Sequence, residues 1–83
     1  MRIDKFLKVS RLIKRRTIAK EACERERVTI NGRTAKPGSE VKEGDTIEIQ
    51  FGNSLLAAKV LKISESCRKE DADAMYEIIQ GNP

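Results

Sequence analysis

The chain has 83 residues, of which 39% are hydrophobic, 36% are charged and only Phe6, Phe51 and Tyr76 are aromatic. A chain this short buries only about 60% of the surface its unfolded form exposes, which allows one thin core and excludes a large ligand cavity beside it. Seventeen basic residues face 13 acidic ones, there is no His to act as the usual neutral-pH proton shuttle, and no apolar run nears the roughly 20 residues of a membrane span.

In chain order, Ile3, Phe6 and Leu7 recur at i, i+3 and i+4 and predict a short amphipathic helix over about 3–10. Asp4 falls in its first turn, where a carboxylate suits the free amides and the positive end of the dipole. Lys5 and Lys8 lie off the apolar stripe, Arg11 follows it, and Lys14-Arg15-Arg16 forms a basic connector. Thr17 is the expected N-cap of a second helix reaching about Glu26, with Ile18, Ala19, Ala22 and Cys23 on its apolar face.

The period changes to two at Val28 and Ile30. Asn31-Gly32 then predicts a hairpin, because both residues accept the positive φ of a type I′ turn. Arg33–Lys36 is the expected returning strand, ended by Pro37-Gly38. Glu40–Lys42 reads as a brief extended piece and Glu43-Gly44-Asp45 as a turn. Thr46–Phe51 alternates as a half-buried strand with Ile47, Ile49 and Phe51 inward. A turn at Gly52-Asn53-Ser54 leads into Leu55–Ser64, whose change of apolar parity places a bulge near Val60-Leu61. Ala72, Met75, Tyr76 and Ile79 are helically spaced behind Asp71 and Asp73, and predict a short C-terminal helix over about 71–80, stopped by Gly81 and Pro83. The whole reads as one α+β domain over 1–83: a core motif over about 1–64, with two short helices on a small, mostly antiparallel sheet, then the C-terminal helix.

Charge is unevenly spread. Residues 1–36 hold twelve basic groups against four acidic, +8, and residues 37–83 hold five against nine, −4. Such asymmetry within one domain points to a basic face for a polyanion. Arg2, Arg11, Lys14, Arg15, Arg16, Lys20 and Arg27 cluster around the ends of the two helices and the turn between them, and helix N-termini would add amide donors. Five of these seven are Arg, whose planar fork holds phosphate bidentately and stacks on bases, which suits structured RNA. Lys20 and Arg25 are also explained as partners of neighbouring glutamates, but the tribasic connector has no nearby acids. No exposed aromatic pair is expected on the sheet, so a single-strand stacking platform is not.

Catalysis finds no support: there is no Gly-rich phosphate loop, no nucleophile elbow and no cleft for a carboxylate pair. Cys23 and Cys67 are too few for a disulfide scaffold or a zinc site, and neither a metal nor any other cofactor is expected. The N-terminus is charged and alternating rather than a secretory signal, so a reducing cytoplasm is the expected setting. An anionic membrane surface or an acidic protein remains the alternative partner for the basic helices.

Arg2-Ile3-Asp4-Lys5-Phe6-Leu7, Ser10-Arg11, Arg15-Arg16-Thr17, Ala22, Val28–Gly32, Lys36-Pro37, Val41 and Gly44–Ile47 follow in order, through about residue 52. This pattern resembles the RNA-binding domain named after the fourth small-subunit ribosomal protein. Among free-standing members the chain is similar to the RqcP-like family, relatives of the fifteen-kilodalton bacterial heat-shock protein. Lys5–Glu21 and Ala74–Ile78 carry that likeness. The resemblance implies a non-enzymatic factor of bacterial ribosome-associated quality control; a monomer with no membrane partner is expected. It would bind large-subunit ribosomal RNA and peptidyl-tRNA on obstructed large subunits, and support alanine tailing by an RqcH-like factor. It assigns RNA contact to Arg2, Asp4, Arg11, Arg15 and Arg16, with Asp4 orienting an arginine or capping an amide. The same domain in another RNA process, such as guiding a modification enzyme or controlling its own messenger, is the nearest rival. The long basic tail of the heat-shock relative has no counterpart here, and the family suggests no role for Cys23.

Overall fold

The computed structural model describes residues 1–64, 72 and 74–81. Two helices, α1 (Ile3–Val9) and α2 (Arg16–Glu24), precede five strands: β1 (Val28–Ile30), β2 (Arg33–Thr34), β3 (Thr46–Phe51), β4 (Ser54–Val60) and β5 (Tyr76–Gly81). The strands form one sheet in the order β2-β1-β3-β4-β5, each neighbouring pair antiparallel. This is the expected α+β architecture.

The apolar spacing explains how the layers meet. Ile3, Phe6 and Leu7 of α1 and Ala19 and Cys23 of α2 are buried with Val28, Ile47, Ile49 and Val60 from the sheet. Small residues on α2 let it approach closely. Register keeps the core in line: Val28 pairs with Ile49 and Ile30 with Ile47 across β1 and β3. The β1–β2 turn is as expected, with Asn31 at φ 52° and Gly32 at φ 83°. Asn31 also ties this turn to the next strand: its Nδ2 donates to Asp45 Oδ1 at 3.0 Å, and its Oδ1 accepts from the Thr46 amide at 2.9 Å.

Several expectations need correction. Residues Tyr76–Gly81, which span the second half of the expected C-terminal helix and the glycine expected to stop it, are strand β5, paired to β4 through Val60↔Tyr76 and Ala58↔Ile78. The helical spacing arises because Ala72 and Met75 are both buried, while Tyr76, Ile78 and Ile79 have strand preference and complete a ladder that β4 would otherwise leave open. Cys67, Asp71, Asp73 and Pro83 lie outside the described residues. The bulge sits at Ala57/Ala58, not Val60-Leu61; these two small residues are consecutively buried, and Leu61 follows the strand's end. Strand β2 is only Arg33–Thr34. Phe51 has the parity of Ile47 and Ile49 but ends β3 beyond the core and is 44% exposed. Ile18, on the flank of α2, is 50% exposed.

Candidate nucleic-acid interface

The first turn of α1 is anchored by backbone rather than side chain. The Ile3 amide donates to the Ser39 carbonyl at 2.8 Å and the Asp4 amide to Pro37 at 3.3 Å, while the Val41 amide donates to Met1 at 2.9 Å. The terminal ammonium pairs with Glu40 at 2.9 Å, and Arg2 bridges Glu40 by strand-like pairing. The α1 amides therefore have acceptors inside the fold, so Asp4 is not a cap and this helix end offers no phosphate site.

Asp4 instead holds arginines. Its residue is 2% exposed, and its carboxylate accepts from Arg2 Nη2 at 3.2 Å through Oδ2 and from Arg16 Nη2 at 3.5 Å through Oδ1. The two guanidinium side chains are 53% and 48% exposed. Two cations on one anion leave a net positive charge, and each fork engages Asp4 through one nitrogen while its other donors stay available. A buried carboxylate thus acts as a hinge pin for two half-exposed forks, Arg2 beside it and Arg16 twelve residues further along the chain.

The loop between the helices carries the next cations. Ser10, fully buried, donates its hydroxyl to the Leu7 carbonyl at 3.3 Å. Arg11 then adopts φ 66°, a left-handed conformation that normally favours glycine. Ile13 is buried and its amide donates to the Leu7 carbonyl at 3.0 Å, which anchors the connector beneath exposed Arg11, Lys14 and Arg15. Helix α2 starts at Arg16 with Arg15 as N-cap and no side-chain cap, so Thr17 does not fill the expected role. Lys20 is exposed one turn after Arg16, and Lys8 is exposed one turn after Asp4. Lys5 is half-buried on α1.

Not every predicted cation joins this group. Arg27 lines a groove with Ile18, Ala22, Ile49 and Phe51, beside Arg25. Arg25 pairs with Glu21 at 2.9 Å, as the glutamate-partner reading expected, whereas Lys20 has no ion pair among the described residues. The sequence reading missed Phe51 and Ile18 as surface residues. Their apolar parity pointed inward, and only their positions at a strand end and a helix flank signal otherwise.

Cys23 is buried between the helices and the sheet, and its thiol is pushed up to about 11 by burial first, then by the nearby negative charges of Asp4 and Glu24. It is a protonated filler, not a nucleophile. Among the described residues there is no His/Cys/Asp/Glu cluster able to hold a metal ion, and no helix is long and apolar enough to cross a membrane.

Comparison with known proteins places this geometry among relatives. Residues 1–47 match the S4 domain. The chain is 54% identical over 83 residues to the RQC P-site tRNA stabilizing factor of Halalkalibacterium halodurans, covering all of this chain and 94% of that protein. It is 50% identical over 80 residues to the factor of the same name from Bacillus subtilis, covering 96% and 93%. The trimeric structure of Vibrio cholerae Heat Shock Protein 15 superposes with a TM-score of 0.86 at 32% identity, covering 94% of this chain and 80% of that one.

Proposed function

Since the chain belongs to the S4 domain family, we propose that it is a non-catalytic RNA clamp of ribosome-associated quality control. In this reading it seats peptidyl-tRNA against large-subunit ribosomal RNA on obstructed large subunits, and so supports alanine tailing by an RqcH-like factor. The names of its relatives, factors that stabilise a P-site tRNA, favour this over the other RNA processes considered.

The observation that carries the proposal is the Asp4 hinge. Arginines that merely coat a surface pay side-chain entropy on meeting RNA, whereas Arg2 and Arg16 are already oriented by a buried carboxylate. The exposed connector cations Arg11, Lys14 and Arg15 extend the same edge, with Lys8 and Lys20 at helical spacing and Lys5 on α1. Phosphate contacts fix position without chemistry, and shape recognition by a rigid edge suits folded RNA. In this reading the clamp is a cytoplasmic monomer, with the hinge, the connector and both helices supplied by one copy.

Co-sedimentation with split large subunits carrying peptidyl-tRNA tests the reading. The wild-type protein should pellet with these and not with intact ribosomes, and Arg16→Ala should weaken the association by roughly 1–3 kcal/mol. Unchanged pelleting of that variant removes Arg16 from the interface, and equal pelleting with intact ribosomes removes the obstructed subunit as the target.

A further inference from the structure

We infer that the groove between α2 and the end of β3 is a second RNA contact, a subsite for one unstacked base and its adjoining phosphate. This inference deepens the RNA-clamp reading and rests on it.

The groove is about 310 Å³ and is lined by Ile18, Ala22, Arg25, Arg27, Ile49 and Phe51. Its floor is apolar, with Phe51 44% and Ile18 50% exposed, in a fold whose other phenylalanine, Phe6, is fully buried. Exposed aromatic surface beside guanidinium groups matches both halves of a nucleotide: a flat base stacks on the ring, and its phosphate meets the cation. The charge is complementary. Arg25 is balanced by Glu21 at 2.9 Å, and among the described residues Arg27 has no ion pair or side-chain hydrogen bond, so the described rim carries one positive charge in excess.

Size decides between a base and a protein segment. A volume near 310 Å³ lies at the lower end of the roughly 300–1,000 Å³ of small-ligand sites. A docked helix would need several anchors at i, i+3, i+4 and i+7 along a longer trough. Position agrees as well. Helix α2 begins at Arg16 on the Asp4 hinge and ends beside the groove, so one rigid element joins both contacts.

The test uses the full chain and three probes: hexaadenylate, an abasic ribose-phosphate chain of the same length, and a hexaglutamate peptide. Hexaadenylate should bind about tenfold tighter than the abasic chain, and only it should shift the Phe51 ring and Ile18 methyl resonances. Phe51→Ala should erase that difference, and Phe51→Leu, which keeps apolar bulk without the ring, should erase most of it. Equal binding of the two ribose chains, a difference that survives both Phe51 variants, or Phe51 shifts produced by hexaglutamate alone would each overturn the subsite. Arg16→Ala should weaken both ribose chains equally. If it weakens neither while the Phe51 effect stands, the hinge has failed and the subsite has not.

Discussion

Replacing Asp4 by Asn separates two ways in which a basic face can bind RNA. If affinity came from net charge alone, deleting a carboxylate would strengthen binding. At roughly 6 Å from a phosphate in water the gain is about 0.7 kcal/mol. The structure argues for the opposite outcome. Asp4 is 2% exposed and fixes Arg2 and Arg16 at 3.2 and 3.5 Å, and an Asn amide would turn a donor towards one of them. Two freed guanidiniums must then be ordered on binding, at about 0.5–1.5 kcal/mol each. Taking about 2 kcal/mol for the pair, less the charge gain, Asp4→Asn should bind RNA about tenfold more weakly despite its added positive charge. Fluorescence anisotropy with labelled ribosomal RNA across a salt series reads this directly, after circular dichroism shows the variant folded at the assay temperature. The slope of log K against log salt should stay the same, because the number of phosphates met is unchanged. Tighter binding by Asp4→Asn would refute the hinge and leave only bulk charge.

The wild-type slope itself should be of order −4 to −5 if about five phosphates are contacted, and a slope near zero would mean that the basic edge is not the binding surface. Arg11→Gly should raise stability by up to about 1 kcal/mol, because glycine accepts the left-handed backbone at φ 66°, yet weaken RNA binding; chemical denaturation and anisotropy on one sample separate the two effects. Asn31→Ala should cost about 1–2 kcal/mol by removing both bonds to the following turn and strand, with a smaller loss for Asn31→Gly, read as urea midpoints. For Cys23, the folded thiol holds its proton to about 11 while an unfolded one releases it near 9. The unfolded state therefore binds fewer protons between those values, and stability falls as pH rises through that window. Cys23→Ala should show a shallower decline between pH 9 and 11, and equal slopes would count against burial of the thiol.

The legible part of this fold was the part with a strong local signal. The α1 stripe of Ile3, Phe6 and Leu7, the Asn31-Gly32 turn and the alternation of Ile47 and Ile49 each encode one geometry, and each appears as expected. What the sequence hid was set by distant partners. The spacing of Ala72, Met75, Tyr76 and Ile79 fits a helix, but β4 recruits residues 76–81 as its neighbour, and no local pattern contains that edge. Parity aimed Phe51 inward, and only the reach of the core decides that β3 outruns it. The basic edge was visible as composition. For Asp4, holding an arginine stood beside capping an amide, and the choice between them was not legible, because the backbone acceptors that release it from capping, Pro37 and Ser39, lie more than thirty residues away.

That long-range fastening also explains how so small a protein grips without yielding. A clamp needs its donors to stay put when RNA arrives, yet a thin core can spare little for bracing the surface. The chain therefore braces the site with bonds that the fold makes anyway. The 37–41 loop holds the start of α1 through the Ile3, Asp4 and Val41 amides and the Met1–Glu40 pair. Buried Ser10 and Ile13 fix the connector, and Asp4 joins Arg2 to the first residue of α2. Each cation-bearing segment is thus tied to the core at one or two points, so the ordering cost is met largely at folding and not at binding. Loosening any tie, whether at Glu40, Ser10 or Asp4, should weaken RNA binding more than it changes the protein's net charge would suggest.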